Sequence, residues 1–223
     1  MAQAIAPNVA LDLLRIHSII TRGLDVATEK SQVFARQGFP DASTWEGFIC
    51  YARSLVSVLQ AHHLTENELV FPYLRAKLPD APYDLLIAQH RELVNILDEV
   101  KVAIEEVAAD AQVALSLTKL NGALRGIGEI WHPHIGIEQD RFAPDKVGPL
   151  LTPAEHTRLS GLFAEHGRKR TGPGYLVVPF LLYNLPPDER AMFARGMPFI
   201  LTRLLVPVVW KKKWAVMRPF LLS

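Results

Sequence analysis

Apolar residues recur at every third or fourth position through most of the first 170 residues, which is the spacing of amphipathic helices. This pattern predicts four long helices over about residues 9–35, 43–71, 82–109 and 113–142, joined by short loops. This part of the chain shows neither the alternation of a strand nor the rhythm of βαβ units. The sequence therefore predicts an all-α, up-down four-helix bundle.

Capping and helix-breaking residues mark the ends of these helices. Gly38 ends the first helix. Ser43 and Glu46 have the spacing of a capping box at the start of the second helix, and Asp80 is a candidate cap for the third. Pro133 falls inside the fourth helix, where we expect it to kink or loosen one turn.

A fifth helix and an apolar, basic extension follow the bundle. The segment TPAE at residues 152–155 predicts the start of the fifth helix, which we expect to end near Gly167. Residues 171–223 carry seven Lys or Arg and two acidic residues, a net charge of +5, which leaves −4 on residues 1–170. We therefore divide the chain into a bundle with its fifth helix over residues 8–170 and a helical C-terminal extension over residues 171–223.

The composition excludes several classes of protein. The single cysteine, Cys50, excludes an internal disulfide framework, a multi-cysteine zinc site and a cysteine-ligated iron–sulfur cluster. A formal net charge of +1 gives no reason to expect a nucleic-acid partner. No basic residue precedes Arg15, which argues against a secretory signal. We expect a cytoplasmic protein, or one held peripherally at the membrane.

Histidine and glutamate residues recur in two copies of one pattern. A His-x-x-x-Glu pair on the second predicted helix returns 72 residues later on the fourth, and single histidines on the first and third helices are 73 residues apart. A His and a Glu four positions apart lie on one side of a helix. The repeat therefore predicts that four imidazoles and two carboxylates converge on the bundle axis. The six residues are His17, His62, Glu66, His90, His134 and Glu138.

This set of donor residues favours metal binding as the function of the site. Two carboxylates buried with four imidazoles would be costly without a cation. Nitrogen and oxygen donors without thiolate favour iron or manganese over structural zinc. Six protein ligands suit two ions that share both carboxylates and keep open positions. A single buried histidine is more often a hydrogen-bonded core residue, but two pairs in register favour metal binding.

Four other histidines are weaker candidates for metal ligands. His63 lies about 100° around the helix from His62, so we expect it outside the ligand set or at the surface. His132, beside Pro133, is a weak candidate ligand. We expect His156 and His166, on the fifth helix, to be solvated.

The segments HHLTENELVFP, QHREL and HPHIGIEQDRFAP resemble the hemerythrin-like, His-His-Glu cation-binding family over roughly residues 10–145. The resemblance implies a left-twisted bundle around a non-haem di-iron centre with oxo or hydroxo and carboxylate bridges. Carried over position by position, it implies that the six residues of the repeat are the iron ligands. Manganese and zinc are the substitute metals to consider.

The chain departs from the oxygen-carrying members of that family. The carriers have a further histidine one turn after the third-helix histidine, where this chain has Val94. Their fourth-helix acid is an Asp five residues after its His, whereas Glu138 follows His134 by four. One ligand fewer leaves a more open metal pair, which argues against simple reversible oxygen storage.

We therefore expect a protein that binds and reacts with peroxide, oxygen or nitric oxide, with catalase- or peroxidase-like oxidoreductase turnover favoured. One alternative is a non-enzymatic sensor or carrier of oxygen, nitric oxide or iron that signals through the extension. A weaker one is a bundle that has lost its metal and serves as an interaction module.

The extension has two interpretations. WKKKW at residues 210–214 is typical of peripheral contact with an anionic membrane or an acidic partner. The charges and prolines of residues 192–210 exclude a spanning helix. The interpretation that we favour is a helical cover, packed on the bundle or on a second subunit of a homodimer.

Overall fold

The computed structural model describes residues 8–109 and 113–223, and these residues form helices and connecting turns without strands. The helices are α1 (Val9–Gln37), α2 (Ala42–Thr65), α3 (Phe71–Arg75), α4 (Tyr83–Ala108), α5 (Val113–Arg141), α6 (Pro144–Val147), α7 (Pro153–Arg170), α8 (Gly174–Tyr183), α9 (Pro187–Ala194) and α10 (Lys211–Trp214). Residues Glu66–Val70 and Leu201–Val209 are π-helical, and residues Gly148–Leu150 and Ala215–Phe220 are 3₁₀-helical.

The four long helices form the predicted bundle. Helices α1 and α4 each pack against both α2 and α5, which closes the ring around one apolar core. Ile20, Leu59, Leu93 and Leu124, one from each helix, are almost completely buried in that core. The helical periodicity of the sequence therefore identified the faces that pack together.

The helix ends agree with the sequence in part. Gly38 ends α1 with a positive φ of 74°, as predicted. Asp41, not Ser43, caps α2, because its extended backbone lets the carboxylate accept from the Thr44 N–H at 2.7 Å. Asp80 does not cap α4, which follows Pro82 without a side-chain cap.

The second predicted helix runs on past residue 71 but changes its geometry on the way. α-Helical geometry ends at Thr65, and one wider π-helical stretch, Glu66–Val70, leads into α3. Such turns occur frequently at functional sites. Helix α5, by contrast, stays α-helical through Pro133, which has no N–H to donate to the Glu129 carbonyl, and the expected kink stays a prediction.

Helix α7 begins as predicted. The Thr152 Oγ1 accepts the Glu155 N–H at 3.3 Å, and the Glu155 carboxylate accepts the Thr152 N–H at 2.7 Å. The helix ends at Arg170, about one turn later than expected near Gly167.

The C-terminal extension packs on the bundle, chiefly against α2. Phe180, Met217 and Phe220 are at most 2% exposed and belong to the same apolar cluster as the bundle core. Tyr51 donates a hydrogen bond to the Asn184 side-chain oxygen at 2.8 Å, which ties α2 to the end of α8. The extension is therefore a helical cover of the bundle, the arrangement favoured from the sequence. The division of the chain at residue 171 stays a prediction.

Across residues 8–109 and 113–223, no helix combines the length and the apolar character needed to cross a membrane.

Candidate metal centre

The structure brings all six residues of the repeat together inside the bundle. Each is at most 7% exposed. Helices α1, α2, α4 and α5 each contribute one histidine, the first residue of the π-helical stretch contributes one carboxylate, and α5 contributes the other. The residues are His17, His62, Glu66, His90, His134 and Glu138.

One half of the centre is formed by α1 and α2. The His17 Nε2 lies 3.2 Å from the Glu138 Oε2 and 3.8 Å from the Glu66 Oε1. The His62 Nε2 lies 3.3 Å from the Glu66 Oε2. One donor atom from each of these four residues fits within a cluster 4.8 Å across, a group that could hold one metal ion.

The other half is formed by α4 and α5 and uses the same two carboxylates. The His90 Nε2 lies 3.5 Å from the Glu66 Oε2, and the His134 Nε2 lies 3.4 Å from the Glu138 Oε1. Glu66, His90, His134 and Glu138 form a second group with donor atoms within 4.8 Å of one another. Both glutamates therefore belong to both groups.

Two amide side chains fix the orientation of the histidines in this second half. The His90 Nδ1 lies 2.8 Å from the Asn67 Oδ1, and the His134 Nδ1 lies 3.0 Å from the Gln89 Oε1. An amide oxygen only accepts hydrogen bonds, so each Nδ1 carries a proton. In each neutral ring the Nε2 therefore carries the lone pair, and this lone pair points into the centre. A histidine that binds a metal through Nε2 has this tautomer.

These tautomers create a contact that requires a positive charge. The His90 Nε2 and the His134 Nε2 are 3.0 Å apart. Two lone pairs at that distance repel each other unless a proton or a metal ion lies between or beside them. The adjacent Glu66 Oε2 and Glu138 Oε1 have no hydrogen-bond partner, so the donors converge on space suited to a cation.

Burial and mutual repulsion set the pKa values of the centre. Burial, together with the charge of Glu138, raises the pKa of Glu66 to about 8. Burial opposes ionisation of Glu138 too, but contacts with His134 and His17 outweigh it and lower the Glu138 pKa. Burial lowers the pKa of His90 to about 3, so this imidazole stays neutral and available as a ligand.

Aromatic side chains close the centre from two sides. Trp131 is completely buried, and its ring centroid lies 5.7 Å from that of His17. Phe71 stacks on His90 with centroids 5.6 Å apart and an angle of 10° between the rings. These apolar walls lower the local dielectric, which strengthens any charge interaction inside.

The family model described as the hemerythrin HHE cation-binding domain matches residues 12–145. The chain belongs to the hemerythrin family. Its six buried donors thus lie in a domain described as cation-binding. The curated proteins contain no match to the chain. The solved structures contain none either.

Two positions of this hemerythrin bundle bear on the ligand set. Val94, where the oxygen carriers have a ligand, is 44% exposed and lies on the outer face of α4. His63, expected outside the ligand set or at the surface, is only 2% exposed, which excludes the surface. Its ring stacks on His90 with centroids 4.2 Å apart, and neither of its nitrogens has a hydrogen-bond partner.

The remaining histidines lie away from the donors. His132 is exposed, so it faces away from the centre although it precedes His134 by two residues. The expectation of solvated histidines on α7 is wrong. The buried His156 Nδ1 accepts the Val9 N–H at 3.3 Å, and His166 lies between Thr65 and Glu68.

Sequence reasoning missed Asn67 and Gln89. Their positions in the sequence could have indicated a role. Gln89 directly precedes the candidate ligand His90, and Asn67 directly follows the candidate ligand Glu66. Nothing in the pattern showed that each amide would reach a histidine on a different helix.

Proposed function

We propose that this hemerythrin-family chain is a non-haem di-iron protein that binds and reacts with a small oxidant, with hydrogen peroxide as the favoured reactant and oxygen and nitric oxide as further ligands. The observation that carries the proposal is the convergence of two four-donor groups that share both glutamates. A set of imidazoles and carboxylates without thiolate suits iron, with manganese or zinc as substitutes.

The chain would hold one ion with His17 and His62 and the other with His90 and His134, while Glu66 and Glu138 contact both. When bound, the metal pair would supply Lewis acidity and accept or donate electrons. The protein's own contribution is orientation, since Asn67 and Gln89 fix two imidazoles.

Peroxide turnover is the enzyme form of the proposal. In the balanced reaction, one peroxide molecule is oxidised to oxygen, and a second is reduced to two molecules of water. The test is the rate of oxygen release from peroxide by the iron-loaded chain, measured with an oxygen electrode. Release above that of the same amount of free iron supports turnover, and a rate equal to free iron contradicts it.

A sensor or carrier is the second candidate. Helix α2 carries His62 and leads into Glu66, and the extension packs on the same helix. A shift of α2 on ligand binding would therefore reach the extension. A visible spectrum that changes reversibly with oxygen or nitric oxide, without peroxide turnover, would favour this candidate.

His63 is a candidate seventh ligand within the same centre. One donor atom each from His63, His90 and His134 lies within 4.8 Å of the others, and His63 is only 2% exposed. A fully buried imidazole with two unpaired nitrogens is costly unless one of them binds a cation or proton.

We expect His63→Ala to weaken iron binding by more than the ~10–100-fold found when groups outside the ligand set are lost. X-ray absorption at the iron edge of the loaded variant should show fewer nitrogen neighbours than the parent. His132→Ala is the control, because His132 is exposed on α5 and should leave both readouts unchanged. Unchanged iron affinity and an unchanged edge spectrum in His63→Ala would remove His63 from the ligand set.

A further inference from the structure

Exposed apolar side chains concentrate on one segment of the extension. Of the ten large apolar residues that are clearly exposed in the described ranges, five lie between residues 199 and 209. They are Phe199 (77% exposed), Ile200 (57%), Leu204 (45%), Val208 (63%) and Val209 (56%). The other five are scattered singly, which is ordinary for a protein surface, whereas a contiguous patch marks an interaction site.

The segment is fixed to the bundle by its opposite side. Val206 is 1% exposed, and its carbonyl oxygen accepts the Trp214 indole N–H at 2.9 Å. Trp214, 5% exposed, stacks on Tyr183 with centroids 4.9 Å apart. The outward apolar side chains are therefore held in place by buried contacts rather than carried by a free tail.

Exposed cations accompany these apolar side chains in the sequence. Residues 190–223 contain no Asp or Glu. Five exposed cations lie within or directly beside the apolar segment, and none of them has an acidic partner among the described residues. They are Arg195, Arg203, Lys211, Lys212 and Lys213.

We propose that this apolar-basic surface, residues 195–213, docks the protein onto anionic lipid bilayers. Protruding apolar side chains can enter the headgroup region while the surrounding cations contact lipid phosphates. Because residues 190–223 contain no Asp or Glu, this segment itself adds no charge that an anionic bilayer would repel.

A second copy of the chain fits this surface less well. A two-fold interface presents the same patch from both subunits, so the five cations would face one another without acidic partners. An acidic protein partner would need a groove to receive five protruding side chains. A bilayer accepts them without any shape requirement.

The test is co-sedimentation of the full iron-loaded chain with lipid vesicles. We expect binding to vesicles of phosphatidylcholine with phosphatidylglycerol, weaker binding at high salt, and little binding to phosphatidylcholine alone. Replacing Lys211, Lys212 and Lys213 together by glutamine should weaken binding by about tenfold or more. Val208→Ser should weaken it too.

The control for Val208→Ser is Val102→Ser. Val102 is equally exposed, at 61% against 63%, but lies on α4. Equal effects of the two serine variants, or binding to neutral and anionic vesicles alike, would overturn the proposal. Failure to sediment with anionic vesicles would overturn it in favour of a protein partner. A dimer in light scattering that Val208→Ser dissociates would assign the surface to a second copy instead.

Discussion

Replacing Glu138 by alanine will leave the purified chain with at most trace iron after metal loading. Its two carboxylate oxygens lie 3.2 Å from the His17 Nε2 and 3.4 Å from the His134 Nε2, so Glu138 belongs to both donor groups. One substitution thus removes a shared ligand and half of the anionic charge. We expect a loss of affinity beyond the ~10–100-fold seen for groups outside the ligand set. Metal analysis by mass spectrometry measures it.

His132→Ala is the matched control for Glu138→Ala, since both lie on α5 and the histidine is exposed. It should keep the metal content and the melting temperature of the loaded parent. Added iron should raise the melting temperature of the parent but not that of Glu138→Ala, because metal binding adds to folding stability. Full iron content in Glu138→Ala would contradict the proposed ligand set.

Gly47→Ala is expected to destabilise the protein by about 1–3 kcal/mol or more, although alanine is the better helix former. Gly47 lies on α2, where a Cβ atom would overlap the Val216 carbonyl oxygen and lie 2.7 Å from its carbonyl carbon. Backbone cannot move aside as a flexible side chain can. The methyl group would therefore push the C-terminal 3₁₀ turn off the bundle. Urea unfolding of parent and variant measures the free-energy difference.

Gly122→Ala provides the control for that experiment. Gly122 lies within α5, and a Cβ atom there would meet nothing within 4 Å. This substitution should stabilise the protein by about 0.5–1 kcal/mol, because alanine restricts the unfolded chain more than glycine does. If Gly47→Ala behaved like Gly122→Ala, the close packing of the extension on α2 would be wrong.

The bundle and the convergence of the six donors could be predicted because both follow from periodicity. Helical spacing sets which faces are buried, and the 72-residue repeat places His62 with Glu66 and His134 with Glu138 in equivalent positions on paired helices. Both features depend on the spacing of residues along the chain, so they could be predicted without knowledge of the contacts between helices.

Other features depend on contacts between helices and could not be predicted in the same way. The burial of His63 follows from the ring of His90 on α4, and that of His156 from its contact with the start of α1. The π-helical geometry at Glu66 could not be predicted from the apolar pattern, which indicated only that the helix continues to about residue 71.

Iron content of the loaded chain, measured by mass spectrometry together with its visible spectrum, tests the central claim most directly. The arrangement of two donor groups around shared carboxylates predicts about two iron ions per chain and an absorption band from bridged iron. Less than about one ion per chain after anaerobic loading, with no such band, would contradict the di-iron assignment.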